Sequence, residues 1–234
     1  METLQQQATV DARVSAVSVY MQQVYMWMTV GLGLTAFVAW GIASSPAALQ
    51  FIFGNTVVLI GLVIAQLGLV IALSAAVHRF SAGTATAMFL LYSGITGVTL
   101  SSIFVVYTSG SIANAFLVTA GTFGAMSVYG TVTKRDLTGM GSFLFMGLIG
   151  LIIAMVVNIF LQSAMMDFVI SCIGVLIFTG LTAYDTQKLR RFGENAPLGD
   201  ATALRRGAIL GALTLYLDFI NLFLMMLRLF GNRD

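Results

Sequence analysis

The stretch LTLYLDFINLFLMMLRLF, residues 213–230, decides the kind of fold, because it is almost wholly apolar and yet contains an aspartate, Asp218. About 20 helical residues cross a hydrocarbon core of about 30 Å, so the stretch has nearly the length of a membrane span. A carboxylate at the middle of a bilayer costs roughly 3 kcal/mol on insertion scales, and such residues face the bundle interior and usually serve a function. We therefore ask what surrounds Asp218.

The composition of the whole chain is that of an integral membrane protein. Of its 234 residues, 59% are hydrophobic and 9% are charged, whereas about a quarter of the residues of a soluble domain are charged. The net charge of +2 is too small to indicate a nucleic-acid partner. The single cysteine, Cys172, excludes an intrachain disulfide, and the single histidine excludes a histidine-based metal cluster.

Seven apolar stretches bounded by charge, Pro, Asn or Gly are long enough to span a membrane. They cover residues 24–43, 56–77, 85–107, 112–132, 140–161, 168–187 and 206–229. We therefore predict an all-α membrane protein with a cytoplasmic segment 1–23, a transmembrane domain 24–230 and a tail 231–234. The one long connection, 188–205, is predicted to be a polar loop. We expect no cleaved signal peptide, since the first apolar run is followed by more of the same.

The basic residues predict the orientation, because cytoplasmic loops are enriched in Lys and Arg. Nine of the 11 lie in the N-terminal segment or in alternate connections: Arg13, Arg79, Lys134, Arg135, Lys188, Arg190, Arg191, Arg205 and Arg206. The other two, Arg228 and Arg233, lie near the C-terminus. The N-terminus is therefore predicted to be cytoplasmic and, with an odd number of spans, the C-terminus outside.

Asp218 belongs to a stripe of small and polar residues on the last span. Steps of four and three residues give Gly207, Gly211, Thr214, Asp218, Asn221, Met225 and Arg228. Side chains at this spacing share one helix face, and this face is predicted to turn toward the bundle interior or a water-filled cavity. Thr214 and Asn221, together with Thr182 on the sixth span, are candidates for a pore or a polar network.

A second acidic residue, Asp185, lies near the end of the sixth span. It could instead be an interfacial carboxylate paired with Lys188, one helical turn further on. Measured along the helices from Arg191 and Arg206, the depths of Asp185 and Asp218 differ by about 9 Å. Direct contact between the two carboxylates therefore requires tilt, offset or a broken helix.

If the two carboxylates meet, their chemistry is defined. Two carboxylates in contact cannot both ionise cheaply and would share a proton. They would also present the oxygen ligands that Ca²⁺ prefers, so protons and Ca²⁺ would compete for Asp185 and Asp218. This predicts a pH-sensitive cation gate, with a proton relay as the nearest alternative.

The same residues carry a resemblance to a known family. TAYDTQKL (182–189) resembles the Tyr-Asp-Thr-Gln signature of the Bax inhibitor 1 family, also called the transmembrane Bax inhibitor motif family, and residues 212–233 are similar to its last helix. VYMWMTVGLGLTAFVAW (24–40) and GVTLSSIFVVY (97–107) resemble its first and third helices. The resemblance covers nearly the whole chain.

The resemblance implies a seven-helix bundle with the last helix near the centre. For bacterial members it also implies a pH-sensitive calcium leak controlled by an aspartate pair, which maps onto Asp185 and Asp218. The family pattern suggests a basic partner on the second helix, for which His78 and Arg79 are the nearest candidates. The connection between the two aspartates looks longer and more polar than the family's shortest versions. The resemblance therefore does not define the intracellular gate of this chain.

The leading hypothesis is thus a calcium leak channel of a bacterial inner membrane, with lipid, Ca²⁺ and H⁺ as partners and no cofactor. An alternative is an interaction protein that modulates other membrane proteins, such as the membrane-bound protease that the resemblance suggests. A proton-coupled transporter would need helix breaks in corresponding halves, and both prolines lie in connections. We do not expect an enzyme, because no catalytic motif is present. Intramembrane aspartyl proteases use a glycine-aspartate motif, and neither Asp185 nor Asp218 follows a glycine.

Overall fold

The computed structural model describes residues 2–76, 80–195 and 201–232, which form nine helices. In chain order these are α1 (Glu2–Ala43), α2 (Pro46–Phe53), α3 (Thr56–Ala76), α4 (Ala82–Leu100), α5 (Ile103–Val106), α6 (Ser109–Val132), α7 (Thr138–Leu161), α8 (Ala164–Asn195) and α9 (Ala201–Phe230).

Seven helical segments are long and apolar enough to cross a membrane. They are Arg13–Ala43, Thr56–Ala75, Ala82–Val106, Ser109–Val132, Thr138–Leu161, Ala164–Asn195 and Thr202–Phe230. The prediction of an all-α membrane protein with seven spans is confirmed. The last of them is the most buried: 67% of its most apolar stretch is buried, against 6% for the segments in α3 and α7. This burial agrees with a central position for the last helix.

The third span differs from its prediction as one continuous helix over 85–107. It is divided into α4 and α5 by a turn at Ser101 and Ser102. The Ser101 hydroxyl donates to the carbonyl of Val98 at 2.7 Å, and that of Ser102 donates to the carbonyl of Thr99 at 3.1 Å. Such side-chain bonds compete with the helical backbone ladder, which explains why the helix is interrupted here.

The connections also contain more helix than predicted. α2 lies within residues 44–55, where Ser45 caps it by accepting from the backbone N–H of Ala48 at 3.3 Å. The predicted polar connection 188–205, with the sixth helix expected to run to Arg191, contains more helix than expected, because α8 continues to Asn195 and α9 begins at Ala201. An ion pair of 2.9 Å between Arg190 and Glu194, one turn apart, supports the end of α8.

The chain divides into two compact units, and α8 and α9 contribute to both. The first unit comprises Met1–Val105 and Leu189–Tyr216, and the second comprises Val106–Lys188 and Leu217–Asp234. The predicted boundary between residues 23 and 24 lies inside α1, which is helical from Glu2. Both Asp185 and Asp218 belong to the second unit.

Candidate functional site

The carboxyl groups of Asp185 on α8 and Asp218 on α9 lie within hydrogen-bonding reach of each other. Both side chains are buried, with exposed fractions of 3% for Asp185 and 5% for Asp218. An ionised carboxylate only accepts hydrogen bonds, so a bond between two carboxyl groups requires a proton on one of them. The inferred depth difference of about 9 Å therefore does not prevent the contact.

The side chain of Asp185 is buried within the protein, so it is not the exposed surface carboxylate of the alternative interpretation. Lys188 is exposed, and its ammonium lies 5.9 Å from the centroid of the Tyr184 ring. The lysine is close enough to attract the Asp185 carboxylate electrostatically. On α8, the charge nearest to Asp185 in sequence is thus the ammonium of Lys188, one turn away.

One oxygen of the pair has no hydrogen-bond partner in the described part of the chain. This is Oδ2 of Asp218, which is buried from solvent. The hydroxyl of Thr186, next to Asp185 in sequence, is likewise buried without a partner among these residues. Buried polar atoms in native proteins nearly always find a partner, so these oxygens are available to water or a cation.

Two residues of the signature TAYDTQKL, Ala183 and Tyr184, position Asp185 through their contacts with α6 and α7. Gly130 on α6 lies against the backbone of Ala183 so closely that a Cβ at residue 130 would collide with the carbonyl oxygen of Ala183. A Cβ at Gly141 on α7 would lie 2.5 Å from the ring of Tyr184. Small residues allow this close approach of membrane helices, and here they fix α8 immediately before Asp185.

Gln187 fixes the same part of α8 to the connection between α6 and α7. Its side-chain amide donates to the carbonyl of Arg135 at 2.8 Å, and its side-chain oxygen accepts from the backbone N–H of Leu137 at 2.9 Å. This buried glutamine was not among the site residues predicted from the sequence. The available signal was its place in the signature, two residues after Asp185.

The three polar residues predicted to form a pore or network bond within their own helices. Thr182 donates to the carbonyl of Phe178 at 2.8 Å, Thr214 to that of Leu210 at 3.1 Å, and Asn221 to that of Leu217 at 2.8 Å. Each bond spans four residues along one helix. Their role in permeation stays a prediction, and they donate to backbone oxygens instead of the carboxylate pair.

The predicted stripe on α9 serves packing as well as polarity. In the first unit, a Cβ at Gly211 would lie 2.8 Å from a methyl group of Leu189. In the second unit, a Cβ at Gly174 would lie 2.7 Å from the sulfur of Met225. The candidate basic partners, His78 and Arg79, lie outside the residues that the structure describes.

A buried tyrosine that the sequence analysis did not identify forms a second polar cluster, in the first unit. The hydroxyl of Tyr216 is 2.6 Å from that of Thr35, which also lies 2.9 Å from the carbonyls of Gly31 and Ser93. Phe89 packs edge-on against the tyrosine ring at a centroid distance of 5.8 Å. The residues of this cluster lie in apolar stretches of the sequence, so no local pattern indicated that they meet.

The carboxylate pair offers few ligands for a resident metal ion. No group of three or more His, Cys, Asp and Glu residues that could hold a metal occurs in the described residues. Ca²⁺ takes six to eight oxygen ligands, roughly, so Asp185 and Asp218 would supply only part of its shell.

Comparison with known proteins gives consistent matches over nearly the whole chain. The profile of the family described as "Inhibitor of apoptosis-promoting Bax1" matches residues 17–234. The chain is 62% identical to the inner membrane protein YbhL of Escherichia coli (strain K12) over 214 residues, which cover 92% of each chain.

More distant bacterial relatives match with similar coverage. A Borreliella burgdorferi protein described as uncharacterized is 49% identical, over 92% of each chain. A Deinococcus radiodurans protein with the same description is 43% identical, over 98% of this chain and 95% of its own. The family match and these identities confirm the resemblance found in the sequence: the chain belongs to the Bax inhibitor family of membrane proteins.

Proposed function

We propose that the protein is a pH-sensitive calcium leak channel that is gated by protonation of Asp185 and Asp218. The observation that carries this proposal is the buried contact between two carboxyl groups, within hydrogen-bonding reach of each other, inside helices long enough to span a membrane. Intramembrane carboxylates are costly and commonly mark ion pathways. No other pair of acidic residues in the described chain is buried in this way.

The gate follows from the proton between the carboxyl groups. With the proton in place, the hydrogen bond holds α8 to α9 at Asp185 and Asp218. Loss of the proton leaves two negative charges in contact, which repel each other and attract a cation. The unpartnered Oδ2 of Asp218 supplies an additional acceptor for that cation.

We also propose that the protein is a non-enzymatic component of the bacterial inner membrane, with a cytoplasmic N-terminus and an external C-terminus. The similarity to YbhL, an inner membrane protein of Escherichia coli, supports the location. The excess of Lys and Arg in alternate connections supports the orientation. Reporter fusions at the two termini would measure it directly.

The gate is tested by Ca²⁺ influx into liposomes that contain a calcium-sensitive dye, between about pH 6 and about pH 8. We expect the wild-type influx to vary over this range and both Asp185→Asn and Asp218→Asn to alter the profile. The double variant should show a flat profile, because Asn can hydrogen-bond but does not titrate here.

Asp167→Asn is the matched control, because Asp167 is a partly exposed carboxylate on the same helix that pairs with Arg228 at 3.7 Å. This variant should keep the wild-type pH profile. A double variant that keeps the wild-type profile, or a folded protein that passes no Ca²⁺ at any pH, would refute the gate.

A further inference from the structure

A groove of about 650 Å³ lies in the first unit, between the early part of α1 and the start of α9. α1 contributes Ala16, Tyr20, Gln23 and Trp27, whose spacing of three and four residues places them on one helix face. α9 contributes Leu204 and Arg205. The groove does not include Asp185 or Asp218, so its occupant is a separate question from the proposed gate.

The two helices run in the same direction along the groove. The Tyr20 hydroxyl donates to the carbonyl of Gly207 at 3.2 Å, and four residues further on, a Cβ at Gly211 would lie 3.1 Å from Val24. Arg205 precedes Gly207, so it lies toward the N-terminal end of the groove. Trp27 follows Val24 and lies toward the other end.

The charge of the groove changes along this direction. Arg205 is exposed at the N-terminal end and makes no hydrogen bond or ion pair with the residues that the structure describes. Arg13, also exposed, lies on the same α1 face one turn before Ala16. Among the residues whose side chains the structure describes, no acidic one lines the groove. A ligand with a negative group is therefore favoured at this end.

The other end of the groove is apolar and open to the surroundings. Met26 is 52% exposed, and the apolar run of the first span begins at Val24, so this end lies within the hydrocarbon region. Trp and Tyr are enriched where membrane meets water, which fits Tyr20 and Trp27 at the transition. The groove thus crosses from the headgroup level to the acyl-chain level.

We propose that this groove binds an anionic phospholipid, with its phosphate against the Arg205 guanidinium and one acyl chain along Met26 and Trp27. A guanidinium donates two parallel hydrogen bonds to phosphate oxygens, and basic pockets between membrane helices bind anionic headgroups. The bilayer supplies a molecule with both parts, a negative headgroup and an apolar chain, in this orientation.

Trp27 provides a direct reporter for the test. The chain has two tryptophans, and Trp40 is 61% exposed, so Trp40→Phe leaves Trp27 as the only indole. This protein is placed in bilayers of phosphatidylcholine that contain a small fraction of phosphatidylglycerol or phosphatidylcholine with brominated acyl chains. Bromine quenches only indoles that it contacts.

We expect brominated phosphatidylglycerol to quench Trp27 at an about fivefold lower mole fraction than brominated phosphatidylcholine, the effect of about one basic residue on an anionic lipid. Arg205→Gln should bring the ratio close to one, and Arg205→Lys should keep most of it. Lys134→Gln, the same loss of charge at an exposed lysine outside the groove, should keep the wild-type ratio.

Trp27→Phe, which leaves Trp40, controls for bulk lipid and should show equal quenching by both lipids. Equal quenching of Trp27 by the two lipids would overturn the proposal and would favour a different occupant, such as a protein segment. An Arg205→Gln protein that keeps the wild-type preference would overturn it as well. Neither outcome bears on calcium flux, so the lipid-binding proposal and the gate proposal are tested independently.

Discussion

Each of the two compact units buries a polar cluster on α9, and the two clusters differ in how completely their atoms are paired. In the first unit, the Tyr216 hydroxyl meets that of Thr35 at 2.6 Å, with Ser93 and Thr96 also within hydrogen-bonding reach. In the second unit, the carboxyl of Asp218 lies within hydrogen-bonding reach of that of Asp185, and its buried Oδ2 has no partner among the N–H and hydroxyl groups of the described residues.

The completeness of hydrogen bonding distinguishes a cluster suited to a structural role from one suited to a change of state. A fully paired buried network stiffens a helix contact and has no spare atom for a ligand. The aspartate pair has a spare acceptor and a removable proton, so it can exist in at least two states. Tyr216 and Asp218 are two residues apart and therefore project to nearly opposite faces of α9, so one helix contributes to both clusters.

The largest expected difference between the two units comes from Gly130→Ala, which disturbs only the second unit. The added methyl group would collide with the backbone of Ala183, which cannot rotate away as a side chain can. Overpacking of this kind typically costs about 1–3 kcal/mol, and we expect a loss of unfolding free energy at the upper end. The measurement is unfolding in mixed micelles by denaturing detergent.

Gly124→Ala on the same helix is the control for Gly130→Ala, because no atom lies within 4 Å of the added Cβ. It should change the unfolding free energy by less than about 0.5 kcal/mol. If both alanine variants were equally stable, the close contact between α6 and α8 would not constrain the position of Asp185.

Removing one hydroxyl from the paired cluster should have an intermediate effect. Tyr216→Phe is expected to lower the unfolding free energy by about 1 kcal/mol, the size of one buried hydrogen bond. A double-mutant cycle with Thr35→Val measures the part that belongs to the 2.6 Å contact. The calcium influx of Tyr216→Phe should keep the wild-type pH profile; a profile resembling that of Asp218→Asn would remove the distinction between the clusters.

The smallest expected effect on stability belongs to Asp218→Asn. Asn has nearly the same shape and can donate to Asp185, so the unfolding free energy should stay within about 0.5 kcal/mol of wild type. The same substitution is expected to alter the pH profile of calcium influx. A destabilisation of more than about 2 kcal/mol would instead assign the pair a structural role.

The sequence predicted the seven spans well, because the thickness of the hydrocarbon core fixes the length of an apolar helix. It did not predict the break at Ser101 or the helical continuation of α8 to Asn195. Both depend on hydrogen bonds and ion pairs between side chains and nearby groups. The average composition of a sequence stretch does not reveal such bonds. The signature TAYDTQKL identified Asp185, but not the role of Gln187 in bridging Arg135 and Leu137.

The sequence by itself determined that Asp218 lies on a stripe of small and polar residues in an apolar helix, since the helical period is fixed by local geometry. Only the tertiary structure decided that Asp185 meets Asp218 and that one oxygen of the pair is left without a partner among the described residues. The physical reason is that contacts between helices depend on where each helix crosses its neighbours. Here close approaches at Gly130 and Gly141 position α8.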